Sequence, residues 1–390
     1  MKIAIITPGS LPVPPIKGGA VENLIYNIIS ENECSKKGID IDVFSIVDKG
    51  INVSTLKEKK TNYFFIKKEE HTNKLTEFIK IKLRSKFNYS PFVKDIIKLI
   101  GKTKYDYIVV ENRPEYVIEL SKKTDRKIIL HMHNEHLTTY KNYQKVIDYC
   151  YKIIVVSKYI KSTIISKYNI EEAKICVLNN GINVDRFSKP TFKEKQYFRK
   201  KYNLLENDFV VLFSGRLIKE KGILELIKSI YQCNSIDNLK LVIVGANWFS
   251  SNIRDEFTEK LKHISNEISN KIIFTGYIDY EKIHEVYKTA DIAVLPSIFN
   301  DPFPLTVLEC MAVGIPIIST NSGGIPEMIN KDYGIILSID KKLVKSLAES
   351  INYLFINEDM RYCMGNKARL NAENNYSLKV FYDKFIEILD

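Results

Sequence analysis

The chain has 390 residues, 45% of them apolar and 27% charged, which is too long for one ordinary core and too apolar for a disordered chain, so two domains are expected. No apolar run reaches the roughly 18 residues of a membrane-spanning helix. The formal charge of +11 is one-sided: residues 1–190 hold 33 Lys/Arg against 21 Asp/Glu, or +12, and residues 191–390 hold 25 against 26, or −1.

The chain starts with a short apolar strand, KIAIIT, running into a Pro/Gly loop. That run is too short for the apolar region of a signal peptide, so a cytoplasmic location is expected. In PIKGGAVENLI, Gly18 and Gly19 lie in the loop after this strand and open a helix. IDVFSI is the second strand; the DID at 40–42 falls at its start and is not expected to hold a metal. Residues 74–104 interleave Lys/Arg with Phe, Ile and Leu. They read either as a basic surface suited to anionic lipid headgroups or as a solvated charged helix. No recognised nucleic-acid motif is present, and no nucleic-acid partner is expected.

YIVVE leads into ENRPEY, which carries Asn112 and Arg113. KIILHMHNEH is a strand whose end holds His131 and His133, two residues apart and therefore on one side. Asn134 and Glu135 follow them, and this polar group at a strand end marks a candidate site. H-E-x-x-H spacing is absent, so zinc is the weaker reading. KIIVVS and KICVLNN complete the first half. The six cysteines (Cys34, Cys150, Cys176, Cys233, Cys310 and Cys363) form no C-x-x-C pair and read as reduced thiols.

Near residue 190 a charged, proline-bearing connector precedes a fresh strand, FVVLFSG. The following turn carries Arg216, Lys221 and Gly222 before a helix, KGILELIKSIYQCN. Two cations beside a helix N-terminus suit a diphosphate, with Gly222 allowing close approach to a ligand. This is not a Walker loop. KLVIVGA, KIIFTGY, IAVLPS and PIIST are further strands, with the helical pattern EKIHEVYKTA before IAVLPS. After IAVLPS, a loop holds Asp301, and LTVLECMAV forms a helix closed by Gly314 and Pro316. Pro304 suits its first turn, leaving the N–H groups of Leu305 and Thr306 to meet an anion. Glu309 falls among the apparently buried Leu308, Cys310 and Met311. A buried carboxylate needs donors, supplied either by backbone or by the paired hydroxyls of a ribose. This β/α alternation predicts an α/β fold of parallel sheets whose ligands bind beyond the strands' carboxyl ends.

Read together, SGRLIKEKG, TGYI, DPFPLTVLECMAVGIPII and GGIPEMI resemble the retaining family 4 glycosyltransferases of the GT-B fold. LPVPPIKGGA, ENRPEY and LHMHNEH are most similar to a bacterial branch that includes spore-coat-associated glycosyltransferases. The resemblance covers nearly the whole chain. It implies two facing Rossmann-like domains with a cleft between them. Residues 1–190 would form the acceptor side and 191–375 the nucleotide-sugar side, with 376–390 packing back on the first.

The family's E-x7-E pair maps to Asp301 and Glu309. The first acid contacts donor-sugar hydroxyls and the second holds the ribose; aspartate in the first place departs from the pattern by one methylene. The resemblance further assigns Arg216 and Lys221 to the diphosphate and Tyr277 and Ile278 to the base. It places His133 near the reacting centre and the Gly18–Gly19 loop against donor and acceptor. His131, Asn134, Glu135, Asn112 and Arg113 are candidates for acceptor contacts or for positioning. It also implies retention of configuration by front-face attack, with no metal or cofactor and a UDP-sugar favoured over a GDP-sugar. The expected acceptor is a glycan or a lipid-linked molecule, and anionic membrane contact is expected through 74–104. Two other readings compete: an epimerase or hydrolase of nucleotide sugars on the same fold, and a non-catalytic coat or scaffold protein.

Overall fold

The computed structural model describes residues 1–36, 38–56, 60–67, 91–139, 143–245 and 256–390. It divides into two compact units, one of Met1–Asn179 with Tyr382–Asp390 and one of Asn180–Phe381. The sequence places the change of unit near residue 190. Residues 180–187 instead join the second unit, because Phe187 is fully buried there with its ring 5.7 Å from that of Tyr287 and 6.0 Å from that of Tyr280. Arg369 fixes the same segment by donating to the carbonyls of Val184 and Phe187 at 2.8 and 2.9 Å.

The first unit holds a parallel sheet of seven strands: β1 (Lys2–Ile6), β2 (Asp40–Ile46), β3 (Asn62–Ile66), β4 (Tyr107–Glu111), β5 (Lys127–Met132), β6 (Cys150–Val155) and β7 (Ile175–Val177). Their order is β3-β2-β1-β4-β5-β6-β7. The second unit holds six: β8 (Phe209–Ser214), β9 (Leu239–Val244), β10 (Ile272–Gly276), β11 (Ile292–Leu295), β12 (Ile317–Thr320) and β13 (Gly334–Leu337), in the order β10-β9-β8-β11-β12-β13. Each is the doubly wound pattern of a Rossmann-like domain, with helices covering both faces.

The strand order reverses between β1 and β4 in one sheet and between β8 and β11 in the other. Helices leave in opposite directions at such a point, which opens a crevice at the strands' carboxyl ends. The loops after β1, β4, β8 and β11 all end at these two points. They carry Gly18, Gly19, Asn112, Arg113, Arg216, Lys221, Asp301 and Pro304.

Eleven of the strands answer to the apolar runs read from sequence. β3 and β13 do not, and both lie at sheet edges. β3 is half-exposed and aromatic, with Phe64 stacked on Phe44 at 4.9 Å and Tyr63 on Phe65 at 6.0 Å. The segment 74–104 is described only from 91. There Val93, Ile96 and Ile100 are buried in the core of the first unit, on the helix Pro91–Ile100. Phe92 is half-buried with its ring 6.1 Å from that of Tyr116, so it packs within the unit rather than projecting outward. Phe78, Phe87 and the rest of 74–90 lie outside the described residues. Among those residues no helix is long and apolar enough to cross a membrane.

Candidate functional site

In the second unit the site is built on backbone contacts that only glycine permits. Gly222 adopts φ +67°, and a Cβ there would lie 1.9 Å from the Pro296 carbonyl oxygen. Its role is therefore to let the turn after β8 press against the end of β11, not to admit a ligand, as its position suggests from sequence. Gly323 adopts φ +55°, and its Cβ would fall 2.2 Å from the carbonyl oxygen of Asp301. The neighbouring Gly324 donates its N–H to that same oxygen at 2.8 Å. The glycine pair is thus a flat shelf on which the Asp301 loop rests.

This docking brings Lys221 and Asp301 together. The lysine ammonium contacts Asp301 Oδ2 directly and lies 5.1 Å from the Phe299 ring centre. Asp301 is buried, with the Ser297 hydroxyl 3.5 Å from the same carboxylate oxygen. A small open hollow is lined by Ser214, Lys221, Ser297, Asp301, Pro304 and Thr306, among others. Pro304 caps the helix Leu305–Val313 with φ −68° and ψ 127°. The first N–H groups of a helix have no partner within it, so those of Leu305 and Thr306 add positive potential here.

Glu309 sits on the same helix, 4% exposed, and accepts a hydrogen bond from the Tyr287 hydroxyl at Oε2. The donor is thus a buried tyrosine on the helix Ile283–Tyr287, not backbone. Burial pushes the Glu309 carboxyl up to about 7, with the tyrosine bond opposing it. The sequence reading missed Tyr287. In EKIHEVYKTA it reads as one more apolar-face residue, and its hydroxyl gave the only hint. Arg216 is exposed in the loop after β8, and Tyr277 and Ile278 are half-buried just beyond β10.

In the first unit, β4 and β5 pair so that Glu111 stands beside His131. His131 Nδ1 lies 3.1 Å from Glu111 Oε2, and His133 Nε2 lies 2.8 Å from the same oxygen. The two imidazole centres are 4.1 Å apart. Burial alone would raise the Glu111 carboxyl; the charge of His131 and hydrogen bonds from both histidines outweigh it and hold the group at about 2. Burial, followed by His131, lowers His133 to about 4 against the pull of Glu111. At neutral pH the carboxylate is therefore ionised and His133 is uncharged. Glu111 was also missed, although an acid ending an apolar parallel strand is itself a signal. The donor set of two histidines and a carboxylate, with ligand atoms within 4.8 Å of one another, is one that a divalent transition metal accepts.

The other first-unit candidates support this group rather than join it. Asn112, at φ +54°, donates its N–H to the His131 carbonyl at 2.7 Å and accepts the His133 N–H on Oδ1 at 3.2 Å. Arg113 donates to the Pro8 carbonyl and the Ser10 hydroxyl at 3.1 and 2.8 Å, tying the loop after β4 to that after β1. Asn134 accepts the His136 N–H at 2.9 Å in a turn, and Glu135 accepts from the Tyr159 hydroxyl. Gly18, at φ +74°, has open space beside it, while a Cβ on Gly19 would lie 2.2 Å from Glu22 Oε2. Glu22 is buried, which raises its carboxyl.

The glycine geometry makes a direct prediction. Gly222→Ala combines a left-handed backbone with a clash against backbone, and is expected to cost about 2–3 kcal/mol. Gly18→Ala carries the backbone term alone, about 1–2 kcal/mol. Urea denaturation of both variants checks this; equal losses would remove the role given to the Pro296 contact.

Comparison with known proteins adds three findings. Residues 32–186 match the family "Glycosyltransferase Family 4" and residues 194–371 match "Glycosyl transferases group 1". The chain is 28% identical over 385 residues to YtcC of Bacillus subtilis (strain 168), which is named as a glycosyltransferase, covering 96% of this chain and 88% of that one. It is 27% identical to "Spore coat protein SA" of the same organism, covering 100% and 99%. Among solved structures, Anabaena Alr3699/HepE, determined in complex with UDP, superposes with a TM-score of 0.77 at 17% identity, covering 100% and 99% of the two chains.

Proposed function

The chain belongs to the glycosyltransferases of GT-B fold that join a Family 4 segment to a group 1 segment, and we propose that it moves a sugar, with retained configuration, from a UDP-sugar to a hydroxyl of a glycan or lipid-linked acceptor. The observation that carries this reading is the meeting of Lys221, Asp301 and the start of the Glu309 helix beyond β8 and β11. One cation, one helix N-terminus and two carboxylates at a switch point match the needs of a sugar diphosphate.

In the proposed reaction Lys221, Arg216 and the N–H groups of Leu305 and Thr306 take up the charge that develops on the departing diphosphate. The ion pair with Asp301 keeps Lys221 extended into the hollow before the donor arrives. Asp301 then shares its oxygens between Lys221 and sugar hydroxyls. Glu309 receives the ribose hydroxyls, and Tyr277 and Ile278 flank the base. The Gly18–Gly19 loop meets donor and acceptor, and His133 faces the transferred sugar. The acceptor hydroxyl attacks from the face the diphosphate leaves, and the departing phosphate oxygen takes its proton.

The first-half excess of positive charge supports an anionic or lipid-linked acceptor at a membrane surface, where each lysine or arginine adds about 1 kcal/mol. The test is nucleotide release from a panel of nucleotide sugars, with soluble and lipid-linked acceptors, beside co-sedimentation with anionic and neutral vesicles. Release with UDP-sugars and an acceptor is expected to persist in EDTA. Loss in EDTA, restored by magnesium or manganese, would mean that the diphosphate is neutralised by an ion. Salt-independent binding to both vesicle types would remove the membrane surface from the reading.

A further inference from the structure

We propose that Glu111 is a positioning residue that holds a proton on Nε2 of His133, so that the opposite nitrogen presents a lone pair to a hydroxyl group of a bound sugar. This rests on the reading of His133 as an active-site residue.

An ionised carboxylate can only accept hydrogen bonds, so each imidazole nitrogen that faces Glu111 carries the hydrogen. The contacts are 2.8 Å for His133 Nε2 and 3.1 Å for His131 Nδ1. His133 is uncharged at neutral pH, and a neutral imidazole has one N–H, which leaves its Nδ1 as an acceptor. That atom is buried and has no hydrogen-bond partner among the described residues. An unmet buried acceptor is costly, and a donor brought by a ligand relieves it.

The same group tells which ligand. The diphosphate of a nucleotide sugar carries no proton at neutral pH and would face a lone pair beside a buried anion. A neutral hydroxyl donates to a lone pair without meeting that repulsion. The His133 side chain, just past the end of β5, is 7% exposed. Asn112 clamps the backbone of both histidines, which keeps the rings in register with the carboxylate.

The test uses the full-length protein labelled with 15N-histidine. Two-bond 1H–15N spectra at neutral pH are expected to show His133 protonated on Nε2 alone. Glu111→Gln keeps size and one accepting oxygen but lacks the charge. It is expected to give mixed tautomers and a kcat lower by about a hundredfold, with donor KM changed less than threefold. Glu111→Asp should recover part of the kcat. A wild-type His133 protonated on Nδ1 overturns the proposal whatever the activity. So does a Glu111→Gln enzyme with unchanged tautomers and kcat within threefold. Stoichiometric zinc that shifts both histidines and raises turnover would make the group a metal site instead. Near wild-type turnover in His133→Ala would remove the active-site reading alone, and the tautomer result would stand apart from it.

Discussion

Lys221→Ala and Glu309→Ala are each expected to lower turnover by at least about a hundredfold while leaving the fold in place. Lys221 is the cation that the turn after β8 delivers into the hollow, and its ammonium already contacts Asp301. Removing a charge from a shielded site where negative charge develops costs on the order of 3 kcal/mol or more of transition-state stabilisation. The same change also frees Asp301, which then stands as a buried carboxylate where the diphosphate should bind. Lys221→Arg separates the two effects, because it keeps the charge and alters the reach. The measurement is kcat and donor KM for each variant, with circular dichroism to check folding. Near wild-type turnover in both alanine variants would sink the assignment of this end of the sheet to the donor.

What could be read from sequence, and what could not, follows from where each residue's partners lie. Interior strands such as β5 and β9 are buried on both faces and so appear as runs dominated by Ile, Leu and Val. The edge strand β13 has four residues, begins with glycine and is buried mainly at that end, so its run looks like the close of a loop. The placement of Lys221, Asp301 and Glu309 was legible because it depends on local spacing: a turn before a helix, and a loop before a helix. Glu111 and Tyr287 were not, because each acts through a partner about 20 residues away in sequence. The pairing of β4 with β5 sets Glu111 beside His131, and the packing of one helix on another sets Tyr287 beside Glu309. Gly222 shows the same limit in reverse. Its need for a bare backbone was visible, but what presses against it, the Pro296 carbonyl, comes from a strand some 70 residues later.

Donor binding is expected to weaken about tenfold as pH falls from 8 to 6. Burial places the Glu309 carboxyl at about 7 in the free protein. If Glu309 receives the ribose hydroxyls, the ionised form binds better, since a protonated carboxyl has one accepting oxygen fewer to offer. Binding then favours the anion and releases a proton, and each pH unit below about 7 costs the complex up to tenfold. Folding runs the other way. The folded carboxyl holds its proton above its ordinary value of 4.5, so between about 4.5 and 7 the folded state binds more protons than the unfolded one. The contribution of Glu309 to stability therefore falls as pH rises through that window, while its contribution to donor binding grows. Calorimetric titration with a nucleotide sugar, in buffers of different ionisation enthalpy, counts the released proton. A nucleotide sugar suits this better than UDP because its diphosphate has no titrating oxygen near neutrality. Glu309→Gln should bind weakly at every pH, release no proton and lose the stability trend over the same window. A wild-type affinity that is flat from pH 6 to 8, with no proton released, would leave Glu309 as a buried structural acid held by Tyr287 and would move the ribose elsewhere.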